Sequence, residues 1–118
     1  MPVTCNSRES CVPYITKDSS AIREIMHAAS QSLAEATVAP GQTTVLHYHI
    51  KSEEIYYILS GRGMMWLEGE EKAVGAGDAI LIPPNQRHNI RNTGSSDLVF
   101  LCCCAPGYSH DDTVLVQE

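Results

Sequence analysis

Apolar and polar positions alternate over short stretches of this chain, and turn residues interrupt the alternation every eight to twelve residues. The interruptions include Asp18-Ser19-Ser20, Pro40-Gly41, Ser60-Gly61, Glu68-Gly69-Glu70, Gly75-Ala76-Gly77, Pro83-Pro84-Asn85 and Asn92-Thr93-Gly94-Ser95. Between them, Thr43–His49, Glu54–Leu59, Met64–Leu67, Ala79–Ile82, His88–Arg91 and Leu98–Cys104 are rich in β-branched or apolar residues. Short strands at even spacing predict an all-β sandwich or barrel. Residues 22–27 read as a strand paired with Ser32–Val38, and Thr113–Val116 as a closing strand after a solvated turn. Residues 1–10 are polar and expected to be loosely ordered. No repeat or linker divides the 118 residues, which predicts a single domain over 1–118.

The period of two also places side chains. His47 and His49 project from one strand face, roughly 6–7 Å apart, and two imidazoles so spaced can converge on one ion. Ile50-Lys51-Ser52-Glu53 is long enough to turn the chain and bring Glu54 back on the next strand as an oxygen ligand. His88 follows a proline-stiffened turn at the start of another strand. Alternation puts Tyr56 and Ile58 on the face of Glu54, and Val45 on the face of His47. The next strand offers Met64 and Trp66 on one face, or Met65 and Leu67 on the other. Tyr56, Ile58, Met64 and Trp66 are the pocket-wall candidates.

Gly41, His47, His49, Glu54 and Gly61, with Gly77, Pro83, His88 and Asn92, stand at the spacings of two motifs, at 41–61 and 77–92. In this the chain resembles the cupin superfamily. Asn85 stands where that family has glycine, and Asn is the non-glycine residue that best tolerates a left-handed turn. The resemblance implies a cupin fold, a double-stranded β-helix or jelly-roll-type barrel. It also implies one divalent transition metal ion (Mn, Fe, Co, Ni, Cu or Zn) held by His47, His49, Glu54 and His88. Counting back from Gly61 selects Glu54 over Glu53 as the carboxylate. The stretch from Pro106 to Thr113 loosely resembles the tail of the mannose-6-phosphate isomerase-like cupin subgroup. The superfamily hosts many reactions. Here the resemblance implies a metal-dependent oxygenase or isomerase/cyclase acting on a small oxygen-rich or aromatic metabolite, with a non-catalytic metal- or carbohydrate-binding module as the alternative.

Composition narrows the partners. Eight basic against fourteen acidic residues leave a formal charge of −6, so nothing draws the protein to nucleic acid or an anionic membrane. No apolar run approaches the roughly 20 residues of a membrane span, and the first residues lack the basic and apolar blocks of a secretion signal. A cytoplasmic location and a small-molecule ligand are the expectations. Homodimerisation is expected because a barrel of this size leaves edge strands open near Tyr14–Met26. Of the five cysteines, Cys102, Cys103 and Cys104 are consecutive and point to alternate faces, a poor disulfide framework. They read as small hydrophobes in a buried strand, with Cys102 and Cys104 on one face.

Overall fold

Alternation builds two antiparallel sheets whose inner faces form one core. The computed structural model describes residues 2–116; Met1, Gln117 and Glu118, which the expected domain and the loosely ordered start include, lie outside the described residues. The strands are β1 (Tyr14–Ile15), β2 (Ala21–His27), β3 (Ser32–Val38), β4 (His47–His49), β5 (Glu53–Ser60), β6 (Arg62–Leu67), β7 (Glu70–Gly75), β8 (Ala79–Ile82), β9 (His88–Asn92), β10 (Leu98–Ala105) and β11 (Thr113–Leu115). One sheet has the order β1-β2-β3-β10-β5-β8 and the other β11-β4-β9-β6-β7. The architecture is the expected all-β, jelly-roll-type barrel. Residues 22–27 are a strand, paired with Ser32–Val38 as predicted.

The clearest alternation runs along β5 and β10, the centre of the larger sheet. Glu54, Tyr56 and Ile58 point inward from β5, and Leu98, Phe100, Cys102 and Cys104 from β10. The register sets Cys104 opposite Glu54, Cys102 opposite Tyr56 and Phe100 opposite Ile58. Ile58, Phe100 and Leu98 join Met65, Ile82 and Ile90 of neighbouring strands in the core. Cys103 faces out, so only two of the three consecutive cysteines are buried.

Several local expectations shift. Of Thr43–His49 only His47–His49 is regular strand, with an isolated bridge from Thr43 to Arg91. The cause is competing bonds: Val45 N–H donates to Asp18 O (2.8 Å), and Thr44 Oγ1 accepts from Ile90 N–H (3.0 Å). Alternation therefore breaks before His47, and Val45 is exposed rather than on the histidine's face. β7 is a strand although Glu70–Gly75 carries little apolar periodicity. It forms by pairing along the whole of β6. Residues 2–10 are largely exposed but are tied at two points. The Arg8 guanidinium grips the Glu35 carboxylate at 2.8–2.9 Å, and Asn6 donates to Ile25 O.

Two turns aim the site. Asn85 adopts φ 66°, the left-handed conformation that its side chain tolerates best among non-glycine residues. Its N–H donates to His49 O at 2.7 Å, pinning the Pro83-Pro84-Asn85 turn beside β4. At Gly61, φ is +90° and a Cβ would stand 2.6 Å from Asp97 O. The β5–β6 connection therefore closes against Asp97 only with glycine there.

Candidate metal centre

β4 supplies His47 and His49 from its inner face, and β9 sets His88 directly opposite His47. All three rings are buried, and each offers a nitrogen within 4.8 Å of the other two. Glu54 enters from the facing sheet. Its Oε1 is 3.2 Å from His49 Nε2 and 3.6 Å from His88 Nε2. Glu53, the competing carboxylate, is exposed. The four residues singled out by spacing thus come together at one place.

Hydrogen bonding determines which nitrogen faces inward. His47 Nδ1 is 2.7 Å from Val45 O and His88 Nδ1 is 2.9 Å from Gln86 O. A carbonyl only accepts, so both Nδ1 atoms carry the proton. His49 Nδ1 lies 3.1 Å from Thr113 Oγ1, whose own proton goes to Ser109 O at 2.9 Å. That hydroxyl therefore accepts from His49 as well. In its neutral form, the one that ligates a metal, each ring then presents a bare Nε2 lone pair to the interior. In that form His49 and His88 have no Nε2–H to give Glu54, and His49 Nε2, Glu54 Oε1 and His88 Nε2 are buried without a hydrogen-bond partner. Three electron-rich atoms facing one another in a dry interior are unfavourable unless a cation sits among them. The residues fit a metal ion, with the outward Nδ1–H bonds orienting the rings as in histidine–metal sites generally.

Electrostatics agree. Burial, then the nearby His88, pushes the His47 ring down to about 4, against the opposing pull of Asp18 and Val45 O. His47 is accordingly neutral at pH 7 and able to ligate. Burial lifts the Glu54 carboxyl, and only donors or positive charge on the His49 and His88 side hold it below the ordinary carboxylate range; two neutral rings with inward lone pairs supply neither, and a cation among them would. The other Glu54 oxygen, Oε2, accepts from Cys104 Sγ–H at 3.2 Å. Burial first, then the Glu54 charge, raises the Cys104 thiol, which therefore stays protonated and remains a donor. Cys104 thus orients the carboxylate so that Oε1 points at the histidines.

Above these groups lies a cavity of about 40 Å³, lined among others by Asp18, Tyr56, Phe100, Cys102, Cys104 and Tyr108. Of the wall candidates, Tyr56 lines the cavity, and Ile58 lies in the core away from its wall. Met64 and Trp66 are elsewhere. Met65 pairs with Ile90 and takes the inward position, so the residues on either side of it face out and line a separate groove with Thr43, Leu46 and Arg91. Arg91 is exposed and Arg87 pairs with Glu68 outside. Three contributors have no signal in the spacing. Asp18, in a turn of the chain, is buried with Oδ2 3.7 Å from His47 Nε2. Thr113 reaches His49 because β11 pairs with β4 in the register Thr113↔His49. Tyr108, from the stretch expected to be a solvated turn, is held at the cavity by Thr16 Oγ1 and His110 Nδ1, each at 3.1 Å.

Known proteins place this arrangement in a family. The cupin domain model matches residues 34–104. An uncharacterized protein of Methanocaldococcus jannaschii is 53% identical over 110 residues, covering 89% of this chain and 88% of its own. The oxalate-binding protein of Thermotoga maritima is 38% identical over 79 residues, covering 67% and 65%. Among solved structures, Streptomyces PAC13 with uridine superposes with a TM-score of 0.84 at 22% identity, over 98% of this chain and 92% of its own. KdgF from Halomonas sp. gives 0.82 at 17% identity, over 93% and 98%. At such identities these two speak for the fold alone. The family match covers more than half of the residues and includes all three histidines and Glu54, and on that ground the chain belongs to the cupin family.

Proposed function

We propose that His47, His49, Glu54 and His88 hold one divalent transition metal ion, and that the protein is a metal-dependent enzyme of oxygenase or isomerase/cyclase type. Its substrate is a small oxygen-rich metabolite bound in the cavity above them. One observation carries the reading: three buried acceptor atoms, His49 Nε2, Glu54 Oε1 and His88 Nε2, converge with no donor between them. Three imidazoles and a carboxylate suit Mn, Fe, Co, Ni, Cu or Zn. Such an ion supplies Lewis-acid polarisation of a ligand oxygen, and redox chemistry if it is iron or copper. The chain's own residues do the rest. Val45 O, Gln86 O and Thr113 Oγ1 fix the three rings, and Cys104 aims Glu54. The apolar wall of Ile22, Ala36 and Phe100 excludes bulk water and strengthens every charge inside.

The cavity's size narrows the expected ligand. About 40 Å³ has room for a few water-sized groups, far below the roughly 300–1,000 Å³ of sites for larger molecules. That favours a compact oxygen-rich compound over an aromatic one. Asp18 and Tyr108, polar groups outside the ligand set, support catalysis over mere storage of the ion. The tail's likeness to mannose-6-phosphate isomerase-like cupins supports the isomerase branch. The second reading, a non-catalytic binding module, is favoured by the relative named an oxalate-binding protein. A cytoplasmic homodimer completes the proposal. It is supported by an exposed row of Ile55, Tyr57, Leu59 and Leu81 on the larger sheet. Among the described residues no helix is long and apolar enough to cross a membrane.

Elemental analysis of protein purified from its native host tests the metal, with one ion per chain expected. Glu54→Ala and His49→Ala should lose it while circular dichroism stays that of the wild type. A folded wild type without stoichiometric metal refutes the reading. Turnover of small hydroxycarbonyl compounds, followed by oxygen uptake and by NMR, then separates enzyme from binding module.

A further inference from the structure

The cavity is unusual in its charge. Its wall holds three carboxylates, Asp18, Glu24 and Glu54, and among the described residues no lysine or arginine lines it. The basic residues nearest to Asp18 in sequence turn away. Lys17 Nζ donates to His110 O (3.1 Å) and Thr113 O (2.9 Å), and Arg23 donates to Cys11 O at 2.7 Å. Arg8 is taken up by Glu35. Glu54 and Asp18 together balance a divalent ion, and Glu24 adds a further negative charge. An incoming carboxylate or phosphate would meet no lysine or arginine on the wall, and would meet the Asp18 carboxylate inside the cavity and Glu24, 3.6 Å from His27, toward its open side.

Asp18 is placed to act on a ligand rather than to support the fold alone. Its Oδ1 accepts from Ser20 N–H (3.0 Å) and Ser20 Oγ–H (2.6 Å), which locks the carboxylate plane. Among the described residues no donor is hydrogen-bonded to Oδ2, although Asp18 is only 9% exposed and lines the cavity. Oδ2 is therefore left open toward the cavity, where a hydroxyl on the bound molecule can donate to it in a charge-assisted hydrogen bond.

Resting on the metal-site reading above, we infer that Asp18 is a specificity-determining residue that selects uncharged, hydroxyl-bearing ligands and rejects carboxylates. Oδ2 accepts a ligand O–H, and the same charge repels an anion of equal size. Rejection by an unpaired like charge is as much a part of specificity as the attractive contact.

The test compares oxalate with dihydroxyacetone, which has the same number of heavy atoms but no charge. Both are titrated calorimetrically into zinc-loaded wild type and Asp18→Asn, after elemental analysis of each protein. The Asn side chain keeps an oxygen for Ser20 and removes the charge, and Asp18→Ser serves if Asn does not fold. Oxalate is expected to bind the variant at least about tenfold tighter, the scale that one like charge within a few ångströms produces at a partly solvated site. Dihydroxyacetone is expected to bind it severalfold more weakly as the charge-assisted hydrogen bond is lost. Unchanged or weaker oxalate binding, with metal content equal in both proteins, overturns the role of Asp18 alone. Loss of zinc from Asp18→Asn also overturns it, by making Asp18 a ligand. A wild type that takes up no zinc overturns the metal-site reading and this inference together.

Discussion

Thr113→Val should weaken metal binding without touching a metal ligand. Thr113 is buried, and its hydroxyl does two jobs: it accepts from His49 Nδ1 at 3.1 Å and donates to Ser109 O at 2.9 Å. Valine has nearly the same shape, so packing is preserved while both bonds vanish. The His49 Nδ1–H is then buried without an acceptor, at a cost of about 1–3 kcal/mol. At roughly 4 °C per kcal/mol for a chain of this size, the metal-free protein should melt about 4–12 °C lower. His49 also loses the bond that holds its ring and its tautomer. Removing such a supporting partner lowers metal affinity by about 10–100-fold. Competition with a chromophoric chelator measures the affinity, and a thermal melt with and without metal measures the stability. Thr113→Ser keeps the hydroxyl and should restore affinity to within a few-fold of wild type. If Thr113→Val binds metal as tightly as wild type, the tautomer assignment for His49 is wrong, and with it the argument for an inward lone pair.

Further outcomes follow from other parts of the structure. The His47 ring is lowered to about 4 from an ordinary 6.5, so the unfolded chain takes up a proton there before the folded one does. Stability of the metal-free protein is therefore full above pH 6.5 and lost as pH falls toward 4, by about 3 kcal/mol at about 1.4 kcal/mol per unit. Urea titrations at pH 7 and pH 4.5 check this, and His47→Gln should flatten that part of the dependence. Gly61→Ala should cost at least about 2 kcal/mol, because φ +90° is strained for alanine and its Cβ would meet the Asp97 carbonyl; an unchanged denaturation midpoint would contradict it. Sedimentation at micromolar concentration should give the mass of two chains. Leu81→Glu, which puts a charge on the exposed apolar row, should shift it toward one.

Much of the fold and the centre of the site is legible in the sequence. Strand parity alone puts His47 and His49 on one face, and Glu54, Tyr56 and Ile58 on another. Parity fixes the two sets but not which turns inward: Ile55, Tyr57 and Leu59 are as apolar as Tyr56 and Ile58, and the packing of the two sheets gives Glu54, Tyr56 and Ile58 the inner face. The left-handed turn at Asn85 is a local matter, settled by steric limits within the residue itself. Local rules reach only as far as a strand runs unbroken. They failed at Val45, where bonds from Asp18 and Ile90, distant in sequence, pull residues 44–46 out of the strand. They could not choose between Met64 and Met65, because either face of β6 is locally acceptable and the packing of Met65 beside Ile90 decides. The groups that tune the centre are less visible still. Cys104 reaches Glu54, Thr113 reaches His49 and Asp18 reaches His47 through contacts that close loops of tens of residues. No spacing encodes such contacts, since they arise only when two sheets come together and every buried polar atom must find its partner. The shared face of His47 and His49 is thus written in short-range periodicity and the full set of candidate ligands in the spacing that resembles the cupin family, while the hydrogen bonds that orient those side chains belong to the tertiary structure.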